Sequence, residues 1–143
     1  ILESVSDIAE VSKSFDMIIE HVRASLARMI TNMYLDDKGN LDIFILDSAS
    51  SAVLMENVQF RDGSYHLPLS VAQTGILVDT LRAEVTAVAN GRIKPFILCV
   101  EPQLRKFIAD ICYNFSINIV VLSFAEIAEN TNFNTEGIIR IEL

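Results

Sequence analysis

The sequence has little of what most binding and catalytic chemistries require. Two cysteines in 143 residues are too few for a disulfide scaffold. Cys99 and Cys112 both stand in apolar stretches, which reads as buried free thiols. Two such ligands with no neighbouring histidine also make a poor metal site. The five glycines, at 39, 63, 75, 91 and 137, are scattered. None forms the Gly-rich turn that converges backbone N–H groups on a phosphate, so a nucleotide site is not expected. His21 and His66 are the only histidines, and neither stands in a pattern with a nucleophile and an orienting carboxylate. The residues therefore predict no enzyme, no cofactor and no metal.

Positive charge is also scarce. Eleven Lys and Arg face 19 Asp and Glu, a net of −8, which argues against an electrostatic grip on nucleic acid or anionic lipid. Long apolar runs are missing too. The longest uncharged stretches, 63–78 and 111–125, contain Pro68 or Asn and Ser residues and fall short of the ~20 apolar residues a membrane span needs. The start carries no secretory leader pattern. The chain opens on Ile1, already in an amphipathic pattern, and reads as a piece of a longer protein. What is abundant is hydrophobicity, at 51% of residues, which argues against disorder and for a packed core.

Periodicity divides the chain in two. Ile1, Val5, Ile8 and Val11 lie near helical spacing over residues 1–11. Asp16 then offers an N-cap oxygen to a second helix over 16–34. Its apolar stripe holds Ile18, Ile19, Val22, Leu26, Met29, Ile30 and Met33, and its polar face holds Glu20, Arg23 and Arg28. Asp36-Asp37-Lys38-Gly39-Asn40 ends it as a loop.

Beyond the loop the pattern alternates. A strand is expected over 41–46 and a helix over 49–57 after Asp47-Ser48. A small hairpin follows over 58–67 around Asp62-Gly63. Ser70 and Gln73 form a capping box for a helix to about Ala89, with Val71, Val78, Leu81, Val85 and Val88 on one face. A strand at 96–100 leads to a helix with Pro102 in its first turn, whose buried face is Leu104, Phe107, Ile108, Ile111 and Phe115. Strand 117–122 is apolar enough for a sheet interior. Ser123 and Glu126 make a second capping box, and an alternating strand over 137–142 ends the chain. The expected fold is thus α/β, with helices on a mixed sheet over 36–143 preceded by a helical fragment over 1–35.

Asp47 is the most suggestive single residue, because it ends a strand where a receiver domain places its phosphoacceptor. Ser48 similarly stands at the helix start where regulatory α/β domains of the anti-sigma-antagonist type carry theirs. The partners such domains need, an acidic pair and a lysine around Mg²⁺ or flanking glycines, are not evident. A phosphorylatable regulatory domain using Asp47 or Ser48 is the alternative reading, and an N-cap the simpler one.

Four motifs in order carry a more specific resemblance. Ile1-Leu2-Glu3-Ser4-Val5-Ser6-Asp7 matches an "ILExLxD" segment, and His21 to Ile30 resembles the "VRxALxRxI" helix after it. Phe96 to Arg105 resembles a strand, small turn and "xLR" helix start, and Val120 to Ile127 is similar to "VVLSxxEI". Together they resemble the major export-gate proteins of bacterial type III secretion, a family with virulence-injectisome and flagellar branches. Ala128-Glu129-Asn130 replaces the prolines usual after "EI" in flagellar members, which favours the injectisome branch.

The resemblance implies a parent protein in the bacterial inner membrane through a segment absent from this chain, with this region on the cytoplasmic side. Residues 1–35 would end its third cytoplasmic subdomain and 36–143 would form the fourth. It further implies a homononameric ring that receives secretion substrates and chaperones, works with other export-apparatus proteins and needs no catalytic residue. Glu20, Arg23 and Arg28 are then candidates for subunit contact, or else anchor loops within one subunit. Phe60, Tyr65 and Arg105 are candidates for partner docking. Arg105 sits in a helical first turn, an unfavourable place for a cation, and has Glu101 as its local partner.

Overall fold

The computed structural model describes residues 15–143, apart from the side chains of Asp16 and Ser64. The helix expected over 1–11 lies outside the described residues. The expected 16–34 helix is two: α1 (Phe15–Ser25) and α2 (Ala27–Met33). Leu26 breaks it, with φ −102° and ψ 21° and its N–H shared between Val22 and Arg23 carbonyls, both at 3.1 Å. Just before the break, the Ser25 hydroxyl donates to the His21 carbonyl at 3.0 Å, a back-bond that competes with the helical ladder and bends it. Asp16 falls inside α1 rather than ahead of it.

The loop to the sheet is tied by Asp36, whose carboxylate accepts the Lys38 and Asn40 amides, both at 2.9 Å. Gly39 takes φ +79° there, a conformation that favours glycine. Then follow β1 (Asn40–Leu46), α3 (Ser48–Asn57), the hairpin β2 (Gln59–Arg61) and β3 (Ser64–His66), and α4 (Val71–Val88). β4 (Ile97–Val100), α5 (Pro102–Asn114), β5 (Val120–Ser123), a 3₁₀ turn at Phe124–Glu126 and β6 (Asn132–Ile139) complete the chain. Both capping boxes form.

The main sheet has the order β5-β4-β1-β6 and every pairing in it is parallel, so it is a parallel sheet rather than the mixed one expected. β6 also begins earlier than its alternation suggests. It pairs from Asn40↔Asn132 to Leu46↔Ile139, with one irregularity opposite Ile43/Phe44. This edge strand is mostly exposed, so only its end carries the alternation that burial imposes. At the other edge the strand starts at Val120. Residues 115–119 are used to close α5 instead: Ser116 takes φ +56° and the Ile117 N–H reaches back to the Cys112 carbonyl at 2.8 Å, a Schellman-type ending. Phe115 is consequently exposed, as is Val71 at the start of α4, against the expectation that both are buried.

The two faces of the sheet are covered differently. Phe44, Leu46, Leu98, Val100, Val121 and Ile139 point to α3, α4 and α5, where Leu54, Leu77, Leu81, Leu104, Ile108 and Cys112 close the larger core. Leu41, Ile43, Ile97, Cys99 and Leu122 form the smaller one, covered by Ile30 of α2 with Tyr34, Leu35 and Ile127. The α1–α2 segment therefore lies on the opposite face from the other helices. Among the described residues, no helix is long and apolar enough to cross a membrane.

Candidate functional site

The densest chemistry lies where α1 meets the α/β unit. Glu20 and Arg23 stand one turn apart on α1, as the polar face of that helix predicts. Opposite them are Arg105 in the first turn of α5 and Glu126 in the turn after β5. Arg105 makes a bidentate contact with Glu20 through Nε and Nη2, at 2.7 and 3.0 Å. Arg23 does the same with Glu126, at 2.5 and 3.0 Å. The two pairs touch, because Arg105 Nε lies 3.6 Å from Glu126 Oε1. Glu126 is 1% exposed and Arg105 9%, so a planar guanidinium with fixed donors is the cation suited to each carboxylate. The Glu126 hydrogen bond is the main reason that the Arg23 guanidinium is raised above its ordinary value, with Glu20 adding to it.

Thr31 of α2 reinforces the same turn. Its buried hydroxyl donates to the Glu126 carbonyl at 3.0 Å and accepts from the Ala128 N–H at 2.9 Å. The capping-box carboxylate of Glu126 also accepts the Ser123 N–H at 3.3 Å. The turn 123–128 is thus pinned from α1, α2 and α5 together.

The structure places the expected site residues in different roles. Arg23 anchors a loop within the chain, and Glu20 pairs with Arg105 within the chain. Arg105 reaches Glu20, 85 residues away, not Glu101. Arg28 is exposed and pairs with no described residue. It rims an open hollow of about 660 Å³ with Ser25, Leu26, Met29, Asn32 and Met33, of which Met29 and Met33 are exposed. Phe60 is 59% exposed and meets Tyr65 across the hairpin edge-on, with centroids 5.1 Å apart. Thr31 was hidden from sequence reasoning inside an apolar stripe. Glu126 was legible as a cap but not as an ion-pair partner.

Asp47 caps α3, its carboxylate accepting the Ser50 N–H at 2.8 Å. Hydrogen bonds with Ser50 hold its pKa below the usual carboxylate value. Ser48 lines a crevice of about 390 Å³ at the strand ends with Ile45, Met55, Cys99, Glu101 and Phe124. Glu101 is its one ionisable carboxylate, and no lysine lines it. Among the described residues, no cluster of three or more His, Cys, Asp or Glu side chains is placed to hold a metal ion. His21 is on α1 and His66 on β3. Burial pushes the Cys99 thiol up to about 12 and Cys112 to about 11, which suppresses the thiolate that nucleophilic chemistry needs.

A second arginine organises the sheet edge. Arg92 Nη1 and Nη2 donate to Glu136 on β6 at 2.8 and 2.7 Å. The guanidinium also bonds the Lys94 and Pro95 carbonyls and lies near the stacked rings of Phe44 and Phe96. Lys94 reaches Asp42 at 3.0 Å. Arginine here holds the β6 register to the loop before β4.

Each of these arrangements joins distant segments of the chain. Comparison with known proteins places the chain in a family. The model of the FHIPEP family matches residues 1–132. The chain belongs to the FHIPEP family. Members similar to it include the flagellar biosynthesis protein FlhA of Helicobacter pylori, 35% identical over 142 residues, 99% of this chain and 19% of that protein. Protein MxiA of Shigella flexneri is 27% identical over 134 residues, 94% of this chain and 19% of that protein. The chain thus spans about a fifth of the length of these FHIPEP relatives. Among solved structures, Chlamydia pneumoniae CdsV superposes with a TM-score of 0.78 at 21% identity, over 99% of this chain and 39% of that one. The nonameric EPEC SctV-C superposes with 0.67 at 17% identity, over 96% and 42%. FHIPEP relatives therefore include a flagellar protein and MxiA, with the higher identity to the flagellar one.

Proposed function

We propose that this chain is part of a type III protein-export gate, in which it binds and guides proteins rather than transforming them. The family match over residues 1–132 carries the reading. In this reading residues 1–35 end one cytoplasmic subdomain and residues 36–143 form the next. The parent protein sits in the bacterial inner membrane and holds this part on its cytoplasmic side. It assembles into a homo-oligomeric ring, as the nonameric state of a structural neighbour suggests, and receives secretion substrates, chaperones and other export-apparatus proteins.

Glu20 and Arg23 are engaged within the chain, so of the three candidate contact residues Arg28 is the one turned outward. Arg28 with Met29 and Met33 is the proposed ring contact, and exposed Phe60 the proposed docking residue. Deleting residues 36–143 from the parent protein should abolish export of secreted proteins while their synthesis continues; undiminished export rejects the proposal. With residues 36–143 in place, Arg28→Glu should lower the assembled fraction in sedimentation of the complete cytoplasmic region.

A further inference from the structure

The helix that carries half of the charged seam adds little to the apolar cores. Among the described residues, no α1 side chain belongs to either apolar cluster, whereas α2 contributes Ile30 to one of them. Phe15 at the start of α1 is 74% exposed. Beside the seam lies a hollow of about 240 Å³ lined by Met17, His21 and Ala24 of α1 and by Tyr65, Pro102 and Ser123 opposite them. The helix is already broken at Leu26. A helix tied to the α/β unit by charge pairs, next to unfilled space and ending at a backbone break, has the ingredients of a movable arm.

The charges are arranged so that movement need not leave any of them unpaired. Each side of the seam carries one acid and one base. Arg105 Nε is 2.7 Å from Glu20 and 3.6 Å from Glu126, so it already faces both carboxylates. Glu20 and Arg23 are three residues apart on one helix, a spacing at which side chains pair. We infer that the seam is a partner-exchange latch. Closed, it pairs Glu20 with Arg105 and Arg23 with Glu126. Open, with α1 swung out about Leu26, Arg105 pairs with Glu126 in the α/β unit and Glu20 with Arg23 on α1. Each of the four side chains keeps an opposite charge, and buried Glu126 keeps a cation in both states, which removes the large cost of stranding a buried charge. Opening uncovers the wall of the hollow formed by Tyr65, Pro102 and Ser123.

The two ends of one ion pair should then behave differently, which a static bridge does not predict. Amide hydrogen exchange on the 143-residue chain reports opening of residues 16–25 against β4 and β5 as an internal reference. Glu20→Gln removes a closed-state contact and only a surface pair from the open state, so exchange in α1 should rise about tenfold with the strands unchanged. Arg105→Gln removes the same closed-state contact but also the open-state partner of Glu126, so exchange in α1 should stay within about twofold of the parent. Equal acceleration by the two substitutions, no acceleration by Glu20→Gln, or faster exchange in the strands together with α1 each overturns the latch. Arg23→Gln is the control for folding: it leaves Arg105 to satisfy Glu126 and should open α1 with the strands still protected. Strand protection lost in this variant also counts against a separable arm.

Discussion

The two faces of the parallel sheet are built from different materials. The α3–α4–α5 face is mainly apolar, from Leu54 and Leu81 to Leu104 and Ile108, with the buried Ser50 hydroxyl bonded to the Ile141 backbone. The α1–α2 face has a small apolar patch under Ile30 and Tyr34 and then a seam of two arginines, two glutamates and a buried threonine. Apolar burial is non-directional and scales with area, so the first face gives strength. Charge-assisted hydrogen bonds are directional and their net gain is small after desolvation, so the second face gives register and exchangeable attachment. The lesson is that one sheet supports a fold on one side and a joint on the other.

The comparison is broken first on the strong face. Leu81 is fully buried, and Leu81→Ala should cost about 2–5 kcal/mol in chemical denaturation. A cost below that of the seam variant would reverse the ranking of the two faces. On the seam, Thr31→Val keeps the shape of the side chain but leaves the Ala128 N–H and Glu126 carbonyl without their partner. Urea unfolding should register a loss of about 1–3 kcal/mol.

At the exposed edge, Arg92→Ala tests electrostatics with pH. The Arg92 hydrogen bond holds the Glu136 carboxyl below its ordinary value, and Lys94 does the same for Asp42. A depressed folded-state pKa gives stability that is present above the unfolded value and lost as pH falls through the folded one. The parent should therefore be more stable than Arg92→Ala by about 1 kcal/mol at pH 7, given solvent screening of an edge pair. That gap should shrink steadily below about pH 4.5. A gap independent of pH would mean that the loop carbonyl contacts, not Glu136, carry the effect.

The smallest effect is kinetic. Cys99 belongs to the seam-side core and Cys112 to the helix-side core, and burial raises both thiols. Each should be inert to a thiol reagent at pH 8 in the folded state. In mild denaturant Cys99 should label ahead of Cys112; the reverse order would make the seam side the firmer one.

Much of the helical architecture was legible because its signals are local. Ser70 with Gln73, Ser123 with Glu126, Asp47 before α3 and Pro102 in α5 each act within a few residues, and each is seen in its expected place. The errors concern interactions of longer range. Phe115 and Ile117 read as a helix face and a strand start until the Schellman-type ending at Ser116 claims them. The β6 boundary was obscured because an exposed edge strand has no face that must be apolar. Arg105 had Glu101 as a neighbour and took Glu20 instead, across the seam and in two hydrogen bonds. Of the candidate residues, Arg28 and Phe60 are the two that are exposed.

By itself the sequence determined that the chain folds as α/β, where most of its elements and caps lie, and that it resembles an export-gate family. Periodicity, capping and motif order are properties of short stretches of chain. The tertiary structure decided that the sheet is parallel, that α1 and α2 are separate helices on its second face, and that the candidate contact residues Glu20 and Arg23 turn inward. Those are matters of which distant groups meet, and for a buried charge the partner is set by geometry and desolvation, neither of which is written in neighbouring residues.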